Sequence, residues 1–249
     1  MPVYAITGAR AGIGREYIRQ LSQHKENTIF ALVRSLDSDL SHLLTIQQTA
    51  LGAVHILECD VSSEDSVARL PERIKTASAS SNPNIKINTL INNAAVLHSR
   101  EETSLNLSST ALASHITSNV LGPAKVLQAL LSTGLLAADA RVANISSGIG
   151  SLSLVADGRI NAEITPYSIS KAALNMLTVH QARQLTSEEA TKGMVVVAVD
   201  PGHVKTEMGG PNAVVEVQDS ARGVLRTLDG LSGEDSGGFF LYTGEKLPW

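Results

Sequence analysis

Short apolar runs alternate with longer helical stretches along the whole chain of 249 residues. Residues 3–6 and 28–33 are typical of these runs, because they are rich in β-branched and aromatic side chains. Several runs are apolar at every position, as expected for strands that helices cover on both faces. Strands and helices that alternate over the full length predict a parallel, doubly wound α/β sheet.

The pattern places strands and helices along the entire chain. It predicts seven strands, over residues 3–6, 28–33, 53–59, 89–91, 141–145, 194–199 and 238–242. It predicts helices over residues 15–23, 64–76, 108–131, 166–185 and 217–228. No internal repeat and no linker interrupts this order. Residues 1–249 are therefore expected to form a single domain, with helices on both faces of the sheet.

Composition argues against several classes of partner. Charged residues are 18% of the chain and the net charge is −4, so no surface for nucleic acid is expected. No apolar stretch reaches the ~18–20 residues that span a membrane, and the first strand leaves no room for a signal peptide. Cys59 is the only cysteine, so no intrachain disulfide forms, and the histidines lack metal-ligand spacing. We expect a cytoplasmic protein without a metal site.

A glycine-rich turn joins the first predicted strand to the first helix, and it reads Thr-Gly-Ala-Arg-Ala-Gly-Ile-Gly over residues 7–14. Glycine permits positive φ and a close approach of ligand to backbone, and the helix N-terminus offers N–H groups to a phosphate. A tight connection without any ligand remains the alternative. The strand before the turn and the helix after it favour a Rossmann-type dinucleotide site. The turn residues expected to contact the dinucleotide are Thr7, Gly8, Arg10, Gly12, Ile13 and Gly14.

The end of the second predicted strand indicates which dinucleotide binds. A carboxylate at this place accepts from the ribose 2′-hydroxyl of NAD, whereas an arginine suits the 2′-phosphate of NADP. The strand is followed by Arg34 and Ser35, and Arg10 in the glycine turn offers a second cation. Asp37 is the competing ribose acceptor, but it lies three residues beyond Arg34. The sequence therefore predicts NADP(H).

Tyr167 and Lys171 are one helical turn apart in the predicted helix over residues 166–185. Side chains at i and i+4 lie on the same face of a helix. A nearby ammonium favours the phenolate and lowers the pKa of the phenol. The pair therefore suits proton transfer near neutral pH, although the same spacing also occurs in ordinary helices.

Together with six further motifs, this pair resembles the short-chain dehydrogenase/reductase family over nearly the whole chain. The motifs follow the order of the family: Thr7-Gly8-x3-Gly12-x-Gly14, Asp60-Val61, Asn92-Asn93-Ala94-Ala95, Asn119, Asn144-Ile145-Ser146-Ser147, Tyr167-x3-Lys171, and Pro201-Gly202 with Thr206. Each motif alone is common, but all of them in this order rarely arise by chance.

The resemblance implies a role for each residue of these motifs. Tyr167 is the implied general acid or base at the carbonyl oxygen, and Lys171 is implied to hold the nicotinamide ribose and to lower the pKa of the tyrosine. Ser147 is implied to orient the substrate oxygen, and Asn119 to hold a proton-relay water. The further implied cofactor contacts are Asp60, Val61, Asn92, Ala94, Tyr167, Lys171, Pro201, Gly202, Val204 and Thr206.

The serine motif leaves two points open. Ser146 and Ser147 compete for the functional role, and the family pattern places the functional hydroxyl second. The spacing from Ser147 to the catalytic tyrosine is longer than is common in the family, and the extra residues fall within 150–165. We interpret this segment as an enlarged loop beside the substrate. The alternative is a shifted serine, either Ser151 or Ser153.

The resemblance is strongest to the carbonyl-reductase subgroup that includes the C-factor and sniffer proteins, and it extends to fungal ketoreductases. It implies an NADP(H)-dependent oxidoreductase that reduces a small-molecule ketone or aldehyde to an alcohol. The alternatives are a non-catalytic NADP(H)-binding regulatory protein and a sugar-nucleotide epimerase or dehydratase. The family implies a homodimer or homotetramer through residues 108–131, although the subgroup also includes monomers. Residues 203–213 are predicted to form a lid over the substrate.

Overall fold

Seven parallel strands form one sheet in the computed structural model, which describes residues 1–161 and 163–249. They are β1 (Val3–Thr7), β2 (Thr28–Val33), β3 (Ala53–Glu58), β4 (Ile87–Asn92), β5 (Leu136–Ile145), β6 (Val195–Asp200) and β7 (Phe239–Leu241). Their order across the sheet is β3-β2-β1-β4-β5-β6-β7. The chain leaves β1 and β4 towards opposite edges, so a crevice opens at their carboxyl ends. The predicted doubly wound, Rossmann-type sheet is confirmed.

Helices cover both faces of this sheet. They are α1 (Gly12–Leu21), α2 (Ser41–Thr49), α3 (Glu64–Ala68), α4 (Leu70–Ser78), α5 (Ser109–Ile116), α6 (Gly122–Ser132), α7 (Leu152–Ala156), α8 (Thr165–Ser187) and α9 (Val217–Asp229). Apolar side chains of α1, α2 and α9 pack in one buried cluster, and those of α3, α4, α6 and α8 in another. No helix in the described part of the chain is long and apolar enough to cross a membrane.

Strand β2 shows why several strands are apolar at every position. Phe30 and Leu32 point into the cluster on one face, while Ile29, Ala31 and Val33 point into the cluster on the other. Successive side chains of a strand alternate between faces, so a sheet covered on both sides needs apolar residues at both. The uninterrupted apolar run is thus the direct result of two helical layers.

Two predicted helices are each divided close to a proline. The helix predicted over residues 64–76 is divided into α3 and α4, and Pro71 lies in the first turn of α4. The helix predicted over 108–131 consists of α5, a π-helical turn at Thr117–Leu121, and α6, whose first turn contains Pro123. Proline has no N–H to donate to the carbonyl four residues back, so the α-helical bonding pattern is broken there.

Two other elements differ from the prediction. Helix α2 is absent from the sequence interpretation, and Leu43 is its only buried residue, so its amphipathic pattern is weak. Strand β5 begins at Leu136, five residues before the predicted start at Arg141. The added positions include the exposed Ala138 and Asp139, which do not look like a buried strand.

The segment over residues 150–165 was predicted as an enlarged loop, but it contains the short helix α7. Gly158, with φ of 76°, follows the end of this helix, where a left-handed residue commonly stops a helix. Ala162 belongs to the predicted loop and lies outside the described residues. Part of the enlarged segment is therefore helical.

The C-terminal residues pack back on the domain and hold helix α7. Ser151 Oγ donates to the carbonyl of Pro248 at 2.8 Å, and the N–H of Ser153 donates to the carbonyl of Trp249 at 2.9 Å. The ring of Trp249 stacks on Phe239 of β7, with centroids 5.4 Å apart. These contacts connect α7 to the edge strand of the sheet.

Candidate active site

The glycine-rich turn lies against the segment that follows β4. Thr7 Oγ1 accepts from the N–H groups of Asn93 and Ala94, both at 3.0 Å. Gly8 has φ of 69°, and a Cβ there would lie 2.9 Å from the Cα of Ala94. A Cβ at Gly14 would lie 2.3 Å from the carbonyl oxygen of Gly8. Both positions therefore require glycine, and Asn93, which the sequence interpretation did not select, fixes the turn.

The side chain of Asn92 is buried at the end of β4. Its side chain is 2% exposed, and its Nδ2 donates to Asn144 Oδ1 of the adjacent strand at 2.9 Å. Asn144 Nδ2 in turn donates to Thr178 Oγ1 of α8 at 2.9 Å. The side chain of Asn92 therefore braces the sheet against the helix that carries Tyr167, and it does not line the crevice.

The N-terminus of α1 is open towards the crevice. Its N-cap residue is Ala11, which has no side-chain oxygen and makes no capping hydrogen bond. Gly12 has φ of 55°, and a Cβ there would lie 3.4 Å from Cγ2 of Thr206. Ile13 packs against the apolar cluster under the helix. Uncapped N–H groups and a positive dipole end are the features that bind phosphate groups.

Two arginines stand at the same edge, next to the glycine turn. Arg10 lies in the turn and Arg34 directly follows β2, and both side chains are exposed. Neither forms an ion pair with any residue that the structure describes. Ser35 Oγ accepts from the N–H of Asp37 at 3.1 Å. Both alternatives for the ribose contact, Arg34 and Asp37, are thus exposed beside the turn.

Asp60 and Val61 follow β3 at the same edge of the sheet. Asp60 Oδ1 accepts from the N–H of Ser62 at 3.0 Å and from its hydroxyl at 2.7 Å. A Cβ at Gly122 would lie 2.9 Å from Cβ of Val61, so α6 packs closely on this residue. Both predicted contacts are partly exposed and held in place by these neighbours.

Tyr167 and Lys171 lie together on α8, as their spacing predicts. The Nζ of Lys171 is 5.4 Å from the centroid of the Tyr167 ring. Lys171 is 2% exposed, and its Nζ donates to the carbonyl of Ile145 at 2.7 Å, where β5 ends. Tyr167 is partly exposed and covers the lysine. The pair therefore places a phenol on the surface of the site with a buried amine beneath it.

The pKa values of this pair are dominated by burial. Burial lowers the pKa of Lys171 to about 7, and the negative charge of Asp200 opposes this change. Burial also raises the pKa of Tyr167; Asp200 adds to the increase and Arg100 opposes it. The pKa of Tyr167 is therefore raised, whereas the family resemblance implies a lowered one. The phenol is protonated at neutral pH.

The serines of the site differ in the bonds that they already make. Ser146 is 1% exposed, and its hydroxyl donates to Asn175 Oδ1 at 2.5 Å. Ser147 is partly exposed, and its Oγ accepts one long bond of 3.4 Å from the N–H two residues further on. Ser151 and Ser153 are bonded to the C-terminal residues. Among these four, Ser147 is the hydroxyl most open to a substrate.

Asn119 lies in the π-helical turn, and its side chain is fully occupied. Its Oδ1 accepts from the N–H of Val96 at 2.8 Å, and its Nδ2 donates to the carbonyl of Val96 and to Ser170 Oγ. Ser170 Oγ donates to the carbonyl of Tyr167 at 2.7 Å. The amide therefore holds the segment after β4 to α8. Pro123 has no N–H to donate to the main-chain carbonyl of Asn119, four residues before it.

The loop after β6 carries the remaining predicted contacts. Pro201 is buried, and Gly202 has φ of 81°. Val204 is 4% exposed, so its side chain belongs to the core of the loop. Thr206 Oγ1 accepts from the N–H of Gly209 at 3.0 Å. The loop thus presents main-chain groups and Thr206 to the glycine turn, whereas the side chain of Val204 is turned away.

The mouth of the crevice is bridged by a second loop. Arg100, which follows β4, donates to the carbonyl of Met208 in the predicted lid over residues 203–213. The N–H of Thr165, the first residue of α8, donates to the carbonyl of Glu102 at 3.2 Å. Residues 203–213, the loop after β4 and the start of α8 are therefore connected around the phenol.

His115 is a neighbour of this pair that the sequence interpretation missed. It is fully buried, its Nδ1 lies 2.7 Å from the carbonyl of Ala111, and its ring is 6.3 Å from that of Tyr167 at an angle of 73°. Burial lowers the pKa of His115, so the ring is neutral and Nδ1 carries the hydrogen. A single histidine within a helix gives no sequence signal of this contact.

Known proteins share these features of fold and sequence. The chain is 43% identical to the C-signal protein of Myxococcus xanthus over an alignment of 138 residues. This alignment covers 55% of the present chain and 78% of the C-signal protein. It is similar in structure to the NADPH-bound carbonyl reductase from chicken fatty liver, with a TM-score of 0.86, 29% identity and 100% of both chains covered. The carbonyl reductase Sniffer of D. melanogaster has a TM-score of 0.84 and 25% identity, again over 100% of both chains. The expected likeness to sniffer-like carbonyl reductases is confirmed.

The family follows from a match that covers most of the chain. A model of the short chain dehydrogenase family matches residues 2–214. This range includes the glycine-rich turn, Ser147, Tyr167, Lys171 and the loop after β6. The chain therefore belongs to the short-chain dehydrogenase family of oxidoreductases.

Proposed function

We propose that the chain is an NADP(H)-dependent enzyme that reduces a ketone or an aldehyde to an alcohol. The observation that carries this proposal is the burial of Lys171 beneath Tyr167, with 5.4 Å between Nζ and the ring centroid, at the carboxyl ends of the strands. The two solved relatives described above are carbonyl reductases, and the chicken enzyme was solved with NADPH bound.

The residues around the crevice fit a phosphorylated dinucleotide. The uncapped start of α1 and the positive φ of Gly8 and Gly12 suit a pyrophosphate. Arg34 is exposed and offers a fork of N–H donors that matches a 2′-phosphate, and Arg10 adds a second cation. Bound NADPH supplies a hydride to the carbonyl carbon.

The side chains of the protein donate the proton and stabilise the negative charge that develops on the substrate oxygen. Tyr167, which burial keeps protonated, donates its phenolic proton to the carbonyl oxygen. The ammonium of Lys171 beneath the ring stabilises the phenolate that this transfer leaves. Ser147 donates a hydrogen bond to the same substrate oxygen. The carbonyl of Asn119 holds the water through which the tyrosine regains a proton.

The test of this function is an assay of NADPH oxidation with a panel of ketones, aldehydes and quinones. The loss of NADPH absorbance measures the rate. We expect turnover with at least one class and a preference for NADPH over NADH. Tight NADPH binding without any turnover would favour the non-catalytic binding protein. Conversion of a sugar nucleotide without net NADPH oxidation would favour the epimerase.

Replacing Ser147 by alanine is expected to lower kcat by roughly 10–100-fold, because a hydrogen bond to a charged oxygen contributes about 1.5–3 kcal/mol. Thermal stability should stay close to that of the wild type, since the Ser147 hydroxyl makes one long bond of 3.4 Å in the structure. Steady-state kinetics and thermal unfolding measure the two effects.

The matched control is Ser146→Ala. This change removes the buried bond to Asn175, so it should lower the melting temperature and affect kcat less. A larger loss of kcat in Ser146→Ala than in Ser147→Ala, with both proteins folded, would reverse the assignment of the two serines.

A further inference from the structure

Asp200 ends β6 inside the site, and its carboxylate joins two loops. Its Oδ2 accepts from the N–H of Gly148 at 2.9 Å, in the turn that follows Ser147. Its Oδ1 accepts from the N–H of Gly202 at 2.8 Å, at the base of the predicted lid. A Cβ at Gly148 would lie 3.0 Å from Oδ2, so this close approach depends on glycine. One carboxylate therefore fixes both the serine turn and the loop after β6.

The position of Asp200 is itself fixed by the edge strand. Its carbonyl accepts from the N–H of Tyr242 at 2.8 Å, and β6 pairs with β7 up to this residue. These bonds fix the main chain of Asp200, from which the carboxylate extends to both loops.

The charged groups around Asp200 come from α8 and from the loop after β6. Burial raises the pKa of Asp200, while its two N–H donors, Lys171 and His203 oppose the increase. The negative charge in turn raises the pKa of Lys171 and adds to the raised pKa of Tyr167. Arg100 acts on Tyr167 in the opposite direction. Loss of the charge on Asp200 would therefore lower the pKa of both members of the pair.

His115 is the remaining titratable neighbour of the pair. It is fully buried, and the positive charge of Lys171 lowers its pKa further. A neutral imidazole cannot hold the lysine in its charged form. Of the groups that the structure describes around Lys171, Asp200 is the one whose charge favours the ammonium.

We propose that Asp200 is a positioning residue of this active site, which holds the Ser147 turn and the Gly202 loop in one arrangement. The inference rests on the proposed carbonyl reduction. It adds a residue that touches neither hydride nor substrate oxygen and acts through Ser147 and Lys171.

The first test is Asp200→Asn, which preserves size, removes the charge and leaves one acceptor oxygen for two N–H donors. Because the pKa of both Lys171 and Tyr167 falls, the alkaline limb of the kcat profile should move to lower pH. At pH 8 we expect kcat to be roughly tenfold below the wild type, which is the factor of one pKa unit, and the deficit should shrink towards pH 6.

Two further variants separate charge from structure. Asp235→Asn is the matched control, because Asp235 also accepts from a backbone N–H, that of Ser232 at 3.0 Å, and pairs with Lys246 away from the crevice. The alkaline limb of its kcat profile should stay at the wild-type pH. Asp200→Glu keeps the negative charge, so its alkaline limb should also stay at the wild-type pH, even if kcat itself falls. If Asp200→Asn does not fold, Asp200→Glu decides: a limb at the wild-type pH supports the proposal, and a displaced limb overturns it.

A readout without turnover tests the two loops directly. Amide hydrogen exchange should become faster in Asp200→Asn for peptides that contain Gly148 and Gly202, and stay unchanged for β2. An unmoved pH limb together with unchanged exchange would overturn the proposal, as would an equal shift in Asp235→Asn. If the wild type reduces no carbonyl compound, the proposed function fails. The exchange data and the pH dependence of NADPH binding still decide the role of Asp200 in that case.

Discussion

Replacing Tyr167 by phenylalanine is expected to lower kcat for carbonyl reduction by about 10²–10⁴-fold, the usual contribution of a positioned general acid. Only the hydroxyl is lost, because the ring keeps its contacts with Lys171, 5.4 Å from its centroid, and with His115 at 6.3 Å. The affinity for NADPH should therefore stay close to that of the wild type. Steady-state NADPH oxidation measures the first effect, and a fluorescence titration of NADPH measures the second.

Tyr17→Phe is the matched control for this loss. Tyr17 lies on the buried face of α1, and its hydroxyl has no hydrogen-bond partner among the described residues. Removal of that hydroxyl should leave kcat unchanged and should not destabilise the fold. A Tyr167→Phe variant that keeps kcat within about tenfold of the wild type would remove the tyrosine from the chemistry.

Replacing Arg34 by aspartate is expected to reduce the preference for NADPH over NADH by about 10²–10⁴-fold. The change removes a fork of donors to the 2′-phosphate and adds a negative charge next to it, and each of these effects contributes about 1.5–3 kcal/mol. Because Arg34 is exposed and forms no ion pair in the described structure, the fold should not depend on it. The ratio of kcat/KM for the two cofactors measures the switch.

Arg183→Asp serves as the control for a general effect of charge, since Arg183 is an exposed arginine on α8. It should leave the cofactor ratio unchanged. An unaltered ratio in Arg34→Asp, combined with weaker NADH binding in Asp37→Ala, would transfer the ribose contact to Asp37 and make NAD(H) the cofactor.

The strands of this fold are predictable because their signal is local and redundant. In β2, Phe30 and Leu32 pack in one core cluster, and Ile29 and Val33 pack in the other. Each position is apolar because it is buried on one of the two faces of the sheet. The breaks in the helices also had a signal, since Pro71 and Pro123 follow each break closely. Helix α2 had none of comparable strength, because it buries a single side chain.

The site was predictable where a short motif holds its own geometry. Tyr167 and Lys171 lie on one face of a helix, and their i,i+4 spacing is sufficient to bring them together. Asp200 and His115 come from separate elements, and only the folded sheet brings them beside this pair. The sequence also could not predict that the pKa of Tyr167 is raised, because the degree of burial is a property of the whole site.

The strand order β3-β2-β1-β4-β5-β6-β7 divides the tasks of the protein between two halves of the chain. The strands on one side of the crevice carry the glycine turn and Arg34, and those on the other side lead to Ser147, Tyr167 and residues 203–213. The free-energy effects of substitutions at Arg34 and at Ser147 should therefore be additive, because these two side chains share no hydrogen-bond partner in the described structure. Selection, natural or in the laboratory, can then exchange the substrate without altering the choice of cofactor.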